Sequence, residues 1–203
     1  MRNITFDLSR LHEHGSAYFD YLELRKRYFV DLLGWDIPHD DKFEMDQYDN
    51  PTAWYSLVLR GSKVIGGTRV MPTTSSWGKH TYMLRDARRG HLEGIPQTAM
   101  PVDIASPYVW EMTRLVIDPD LRTSRERGKC LSLMGQGLYD IAASEGAAEY
   151  MGISSVALVR VLRQLGFPLE RLGPPFLDRD DGRQYAVLRM PVVQQGQQLI
   201  AAE

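Results

Sequence analysis

Ionisable side chains that could do chemistry lie among apolar or aromatic neighbours in four short blocks of this sequence. The positions are Arg25, Asp46, Asp49, Arg69, Glu111 and Arg114. A buried charge without a partner costs free energy, so such residues usually face a partner or a site. The mixture of signs predicts a pocket for a polar, zwitterionic ligand rather than a solvated surface.

The apolar pattern predicts the first elements that position these side chains. Residues 16–33 have apolar residues at helical spacing, and Arg25 falls on the same face as Leu22 and Phe29. Gly34 ends this helix, and residues 36–50 form a polar, acidic connection that carries both aspartates.

The remaining chain alternates between strand and helix patterns. Strands are predicted over residues 2–8, 53–60, 63–73, 108–117, 147–154, 169–171 and 185–190, and helices over 82–88, 125–144 and 155–165. This order predicts an α/β (α+β) fold, a three-layer sandwich around a mixed, mostly antiparallel sheet. We expect one domain over residues 1–191 and a flexible tail over 192–203.

Glu111 and Arg114 lie on the predicted central strand with opposite parity. They would face opposite sides of a regular strand. If both line one pocket, a β-bulge must interrupt the strand near Met112 or Thr113. Otherwise one of the two is structural.

Composition excludes several classes of protein. The 203 residues are 43% hydrophobic and 25% charged, as in ordinary globular proteins, and the net charge of -2 argues against a general nucleic-acid binder. Cys130 is the only cysteine, the N-terminus lacks a signal-peptide pattern, and no apolar run is long enough for a membrane span. We therefore expect a cytoplasmic protein without membrane or nucleic-acid partners. The five histidines show no ligand spacing, so no metal is predicted.

A basic, glycine-containing run precedes Cys130. We predict a loop here that opens a helix, where backbone N–H groups could bind a phosphate or pyrophosphate. The arrangement is similar to the pantetheine-binding turn of the N-acyltransferase superfamily, although a merely solvated loop explains it too.

Several motifs in order resemble the acyl-homoserine-lactone synthases, which make bacterial quorum-sensing signals. They are Arg25 with Phe29, LGW ending at Trp35, DQYD from Asp46 to Asp49, RVMPT from Arg69, and WEMTR from Trp110. The resemblance implies an N-acyltransferase-like fold. It also implies S-adenosylmethionine as amine donor, hence a substrate and not a cofactor. The acyl donor would be a thioester, on acyl carrier protein more than on coenzyme A. Acylation of the amine and lactone closure would release methylthioadenosine.

The family's functional positions match residues of this sequence. The resemblance implies S-adenosylmethionine-binding roles for Arg25, Phe29, Trp35, Asp46 and Asp49, and catalytic roles for Glu111, Arg69 and Arg114. Carboxylates would suit the ammonium and sulfonium of this substrate, guanidinium its carboxylate, and Glu111 is the candidate general base. Structural alternatives stay open: Arg25 could bridge carboxylates under its helix, the aspartates could bond their own turn, and the aromatic residues could be core.

The acyl chain is predicted to lie beside Met151, Gly152 and Ile153. A threonine associated with 3-oxo substrates would stand near Gly152, so its absence argues weakly against them, and we expect the glycine to widen the tunnel. Where many members of the family have a pocket aromatic, this chain offers Arg88 or Tyr82.

A local excess of positive charge predicts a docking surface for an acidic acyl carrier protein. Its residues are Arg125, Arg127, Lys129, Arg160 and Arg163. A solvated helix face explains these charges equally well. Two other functions remain possible: an N-acyltransferase that uses acyl-CoA and another amine, or a non-catalytic module that binds S-adenosylmethionine or acyl chains.

Overall fold

A computed structural model describes residues 1–192, and all but the first residue of the predicted tail over 192–203 lies outside them. The strands are β1 (Arg2–Asp7), β2 (Trp54–Arg60), β3 (Lys63–Pro72), β4 (Val109–Ile117), β5 (Glu149–Ser155), β6 (Glu170–Arg171), β7 (Phe176–Leu177) and β8 (Gln184–Pro191). The α-helices are α1 (Ala17–Arg25), α2 (Met83–Arg88), α3 (Ser124–Glu145) and α4 (Val156–Gln164). Short 3₁₀ segments cover Leu8–His14 and Gln97–Ala99. Within residues 1–192, no helix combines the length and the apolar character needed to cross a membrane.

The strands form one mixed sheet in the order β1-β2-β3-β4-β5-β8-β6, with β7 also paired to β8. All neighbours are antiparallel except β4 and β5, which run parallel from Val109–Glu149 to Glu111–Met151. The prediction of a mixed, mostly antiparallel sheet is confirmed.

Two adjacent glycines on β3 explain how helices cover both faces of the sheet. A Cβ on Gly66 would lie 2.5 Å from Cys130 Sγ of α3, whereas one on Gly67 would lie 2.8 Å from the Tyr21 ring of α1. Neighbouring strand residues point to opposite faces, so α1 and α3 pack on opposite sides. The predicted three layers follow from this close approach.

The helix predicted over residues 16–33 has the right extent but only partly the right type. It is α-helical to Arg25 and π-helical over Lys26–Leu32, with Leu33 N–H donating to Tyr28 O at 3.1 Å. A π-turn contains an additional residue. Phe29 is buried, as its place on the face of Arg25 predicts, whereas Leu32, another apolar residue of the predicted helix, is exposed.

A β-bulge interrupts β4, as the parity of Glu111 and Arg114 required. Gly67 pairs with Val116 and Arg69 with Thr113, so two residues of β4 lie opposite Thr68 alone. The bulge lies at Arg114, just after the expected position, and this residue has a φ of 55°. Among the described non-glycine residues it alone has a positive φ, and the bulge lets it share a face with Arg69 and Glu111.

Candidate active site

Three arginines and three carboxylates form a closed ring beneath α1. Each carboxylate bridges two arginines: Asp49 joins Arg25 to Arg69, Asp46 joins Arg69 to Arg114, and Glu44 joins Arg114 to Arg25. The shortest N–O distances of these six links run from 2.5 to 3.1 Å. The ring has no formal net charge, which is what burial of so many charges requires.

The arginines of the ring fix the ionisation of Asp46 and Asp49. Burial alone would raise the pKa of Asp49, but the Arg69 and Arg25 guanidiniums hold it below its usual range. Asp46 behaves in the same way, with Arg69 and Arg114 lowering its pKa against the effect of burial. These carboxylates are anions at neutral pH.

The structure brings together five charged residues that the sequence predicted for the site, but they pair largely with one another. They are Arg25, Asp46, Asp49, Arg69 and Arg114. Arg25 does bridge two carboxylates under its helix, and Asp46 also accepts from Tyr48 N–H at 2.9 Å, as a turn residue would. Sequence reasoning missed Glu44. Its signal was its place two residues before Asp46 in an acidic run that the three arginines could neutralise.

Only one edge of the ring reaches the surface. Arg25, Glu44 and Arg69 are fully buried, whereas the side chains of Asp46 and Arg114 are 4% and 9% exposed to solvent. A ligand would therefore meet this Asp46–Arg114 edge and not the interior of the ring.

An aromatic wall adjoins this edge. The Phe29 and Trp35 rings stack with centroids 4.8 Å apart and planes 18° apart. The Arg114 guanidinium carbon lies 5.7 Å from the Phe29 centroid. Both aromatic residues pack in the core cluster, as the structural alternative expected, but Trp35 is only partly buried and can also contact a ligand.

Glu111 lies on the same face of the sheet and accepts hydrogen bonds from the start of α2. Its carboxylate oxygens accept from Met83 N–H at 2.8 Å and Leu84 N–H at 2.7 Å. Burial raises its pKa to about 7, against the effect of these two bonds. It is thus a group that can gain or lose a proton near neutral pH.

The two candidates for the pocket aromatic are held by the connection after α2. Tyr82 is fully buried and donates to Ile104 O at 2.6 Å, and burial together with Glu111 raises its pKa. Arg88 donates to Met100 O at 2.6 Å. Of the two candidates, Tyr82 is therefore an aromatic residue within electrostatic reach of Glu111.

Met151, Gly152 and Ile153 line a cavity between β4, β5 and β8. Its volume is about 20 Å³, and its other walls include Met112, Leu188 and Met190. The expectation that Gly152 widens a tunnel is wrong, because a Cβ there would lie 2.1 Å from Met112 O. The glycine allows the β4 backbone to approach.

The predicted phosphate-binding turn does not form. Helix α3 begins at Ser124, so the run before Cys130 is helical, and Thr123 and Glu126 form a capping box at its N-terminus. Glu126 in addition pairs with Arg60 at 2.8 Å. Since a carboxylate already occupies this helix start, an anion is poorly accommodated there.

The five predicted docking residues are exposed on α3 and α4. A Cβ on Gly128 of α3 would lie 3.4 Å from Leu165, just after α4, so these helices meet. Arg127 donates to Leu121 O and Arg163 to Leu169 O. Within residues 1–192 none of the five makes an ion pair, and Arg125, Lys129 and Arg160 make no side-chain hydrogen bond either. The described part of the chain, residues 1–192, contains no group of three or more His, Cys, Asp or Glu side chains suited to a metal ion.

The fold is that of the N-acyltransferases. An acyl-CoA N-acyltransferase from Pseudomonas aeruginosa has a similar structure, with a TM-score of 0.56 and 13% identity over 92% of this chain and 97% of that one. The crystal structure of TofI in a ternary complex with an inhibitor and MTA is more similar, with a TM-score of 0.75 and 25% identity over 100% of this chain and 98% of that one.

Sequence comparison identifies the family within this class. The family model described as "Autoinducer synthase" matches residues 10–200. An acyl-homoserine-lactone synthase of Acinetobacter nosocomialis is 32% identical over 166 residues, which cover 78% of this chain and 84% of that protein. The chain belongs to the autoinducer synthase family and is an acyltransferase of the acyl-homoserine-lactone synthase type. The predicted fold and family are confirmed.

Proposed function

We propose that this synthase acylates the amino group of S-adenosylmethionine beside Glu111 and closes the lactone with release of methylthioadenosine. The observation that carries the proposal is the convergence of three features on one face of the sheet. They are the Asp46–Arg114 edge, the Phe29–Trp35 wall and a buried carboxyl group with a pKa near 7.

The neutral ring selects a ligand that is itself a zwitterion. Asp46 and Arg114, which form the edge that reaches the surface, are already paired with each other, so a lone anion or cation would unbalance the ring. An α-amino acid brings both signs, with its ammonium toward Asp46 and its carboxylate toward Arg114. The sulfonium can then lie against Phe29 and Trp35 as a cation–π partner.

Arg25, Asp49 and Arg69 support this edge from inside. Arg69 donates to both oxygens of Asp46, at 2.6 and 3.2 Å, and to Thr113 Oγ1 at 3.1 Å. It therefore sets the direction in which Asp46 meets the substrate. Arg25 and Asp49 close the ring behind it.

Glu111 is the proposed general base. An α-amino group has a pKa of roughly 8 and must lose a proton before it attacks the thioester. A carboxylate with a pKa of about 7 is matched to this task. Because both of its oxygens already accept backbone N–H groups, we propose that a water carries the proton from the amine to Glu111.

The cavity beside Met151, Gly152 and Ile153 is proposed to receive the acyl chain. At about 20 Å³ it has room for roughly one water, so the chain must displace its walls. Met112, Met151 and Met190 line it, and methionine side chains repack easily. The cavity therefore opens around the acyl group.

Acyl carrier protein is the proposed donor in preference to coenzyme A. The capped start of α3 argues against a pyrophosphate site, whereas Arg125, Lys129 and Arg160 are exposed without ion-pair partners within the described chain. Apolar Val156, Val161 and Leu165 are exposed beside them. Basic and apolar side chains together suit an acidic protein partner.

The test is incubation of the purified protein with S-adenosylmethionine and a panel of acyl-carrier-protein and acyl-CoA donors, followed by mass spectrometry. We expect acyl-homoserine lactone and methylthioadenosine in equal amounts, with carrier-protein donors preferred. The Glu111→Gln variant is the control for chemistry at the site. Acyl transfer without methylthioadenosine would instead indicate an N-acyltransferase that uses another amine.

A further inference from the structure

The β7–β8 hairpin contacts the aromatic wall from a distant part of the chain. Trp35 Nε1–H donates to Asp181 Oδ2 at 3.1 Å, and Tyr185 OH donates to the same oxygen at 2.7 Å. Arg183 N–H donates to the other oxygen at 2.9 Å. The Asp181 side chain is only 4% exposed, although it lies in a surface hairpin.

These contacts keep the Asp181 carboxylate charged and fixed. Burial would raise its pKa, but the Tyr185, Arg183 and Trp35 hydrogen bonds hold it below the usual range. A hydrogen bond to an anion is stronger than one between neutral groups. Asp181 is therefore a rigid acceptor.

The indole of Trp35 has one polar atom, Nε1, and its N–H donates to Asp181. Stacking on Phe29 fixes the plane of the ring, but offset stacking tolerates sliding and rotation within that plane. The bond to Asp181 and the edge contact with Tyr185, 5.9 Å between centroids at 64°, fix the remaining direction. No other described side chain hydrogen-bonds to this indole.

We infer that Asp181 is a positioning residue for the S-adenosylmethionine site, because it holds the Trp35 ring in the orientation that the substrate meets. The inference rests on the proposed function. It assigns a role in amine-donor binding to a hairpin whose strand β8 otherwise forms a wall of the acyl cavity. Asp181 itself touches no reacting atom.

The alternative is that Asp181 only attaches the hairpin to the protein. Asp180 offers a matched control, because it is exposed and accepts from Asp36 N–H at 3.3 Å without touching Trp35. Its replacement loosens the same hairpin contact and leaves the indole bond intact. A purely structural role would give Asp180→Ala and Asp181→Ala similar kinetics.

The experiment measures KM for each substrate, kcat, and S-adenosylmethionine affinity by calorimetry in Asp181→Ala, Asp180→Ala, Trp35→Phe and the Asp181→Ala/Trp35→Phe double variant. We expect Asp181→Ala to raise KM and Kd for S-adenosylmethionine about five- to tenfold, with kcat and the acyl-donor KM within about twofold. Asp180→Ala should resemble the wild type. The double variant should match Trp35→Phe, since the indole donor is already absent.

Contrary results are equally distinct. Full additivity in the double variant, or an equal rise in KM for both substrates, would overturn the positioning role. If wild type and Asp181→Ala bind S-adenosylmethionine equally, only this inference is wrong, whereas a wild type that neither binds it nor makes lactone overturns the proposed function as well. Asp181→Asn, which retains an acceptor for Arg183, replaces Asp181→Ala if the latter fails to fold.

Discussion

Replacement of Glu44 by glutamine should strongly destabilise the protein, although Glu44 performs no step of the reaction. Glutamine has nearly the same shape but removes one negative charge from the ring. Arg25 and Arg114 then share a neutral partner, and the ring carries one uncompensated positive charge. Both Glu44 and Arg25 are fully buried, so water cannot compensate for the loss.

The magnitude follows from this burial. Removing one partner of a buried ion pair costs about 3–5 kcal/mol of unfolding free energy. For a chain of this size, each kcal/mol lowers Tm by about 2–4 °C, so we expect a fall of roughly 6–20 °C. Adding Arg114→Gln to Glu44→Gln restores neutrality and should recover part of the loss.

Urea unfolding followed by circular dichroism would measure these free energies, with Glu13→Gln as control. Glu13 pairs with Arg10 at 2.8 Å, but both side chains are largely exposed, so no measurable change is expected. A loss below about 1 kcal/mol in Glu44→Gln, or a double variant less stable than the single one, would refute the reasoning that charge balance holds the ring together.

Four further predictions concern Glu111, the cavity beside Gly152 and the proposed docking surface. Burial raises the pKa of Glu111 from 4.5 to about 7, so its stabilising contribution is complete below pH 4.5 and is lost as the pH rises through 7. Chemical unfolding should show that the free energy of unfolding falls by about 3 kcal/mol over this range, and Glu111→Gln should abolish the fall. Whereas stability falls with pH, kcat/KM of the wild type should rise as the pH passes through about 7, and Glu111→Gln should lack this rise. The same rise in Glu111→Gln would exclude Glu111 as the base. Gly152→Ala should cost about 1–3 kcal/mol by forcing its Cβ against Met112 O, with turnover of long acyl donors reduced most; thermal melts and a chain-length series would measure both. Charge reversal at Arg125 and Arg160 should raise KM about tenfold for carrier-protein donors and leave acyl-CoA donors unchanged, and equal effects on both donors would contradict a docking surface.

The sequence predicted the framework because its periodic signals are local. Alternation on either side of Gly61 predicted β2 and β3 within one residue. The helical pattern over 125–144 predicted α3 to within one residue at each end, although the basic run before Cys130 was also predicted to be a loop. The π-helical segment gave no comparable signal, because the choice between α and π turns depends on where Phe29 finds its partners in the folded protein. The two-residue strand β7 is too short to show a period.

The site was predictable as a set of residues but not as an arrangement. Residue types indicated buried charges, and the parity of Glu111 and Arg114 indicated a bulge. The pairing of the charges depends on the meeting of four segments that are distant in sequence (α1, the connection after it, β3 and β4), so Glu44 looked like an ordinary acidic residue. Gly152 was misinterpreted for the same reason, since the carbonyl that requires it belongs to Met112 on another strand.

The closed charge ring bears on how such an enzyme can change over evolutionary time. Any single replacement that removes a charge from the ring leaves a buried charge unmatched, so a lineage that changed the charges of the ring would need two compensating mutations together. The cavity proposed for the acyl chain has mainly apolar walls, and apolar exchanges of similar volume usually cost less than about 1.5 kcal/mol one at a time. If the proposed site is right, single mutations can change the acyl tail of the signal, whereas a change of the homoserine-lactone head requires the charges around Asp46 and Arg114 to be rebalanced.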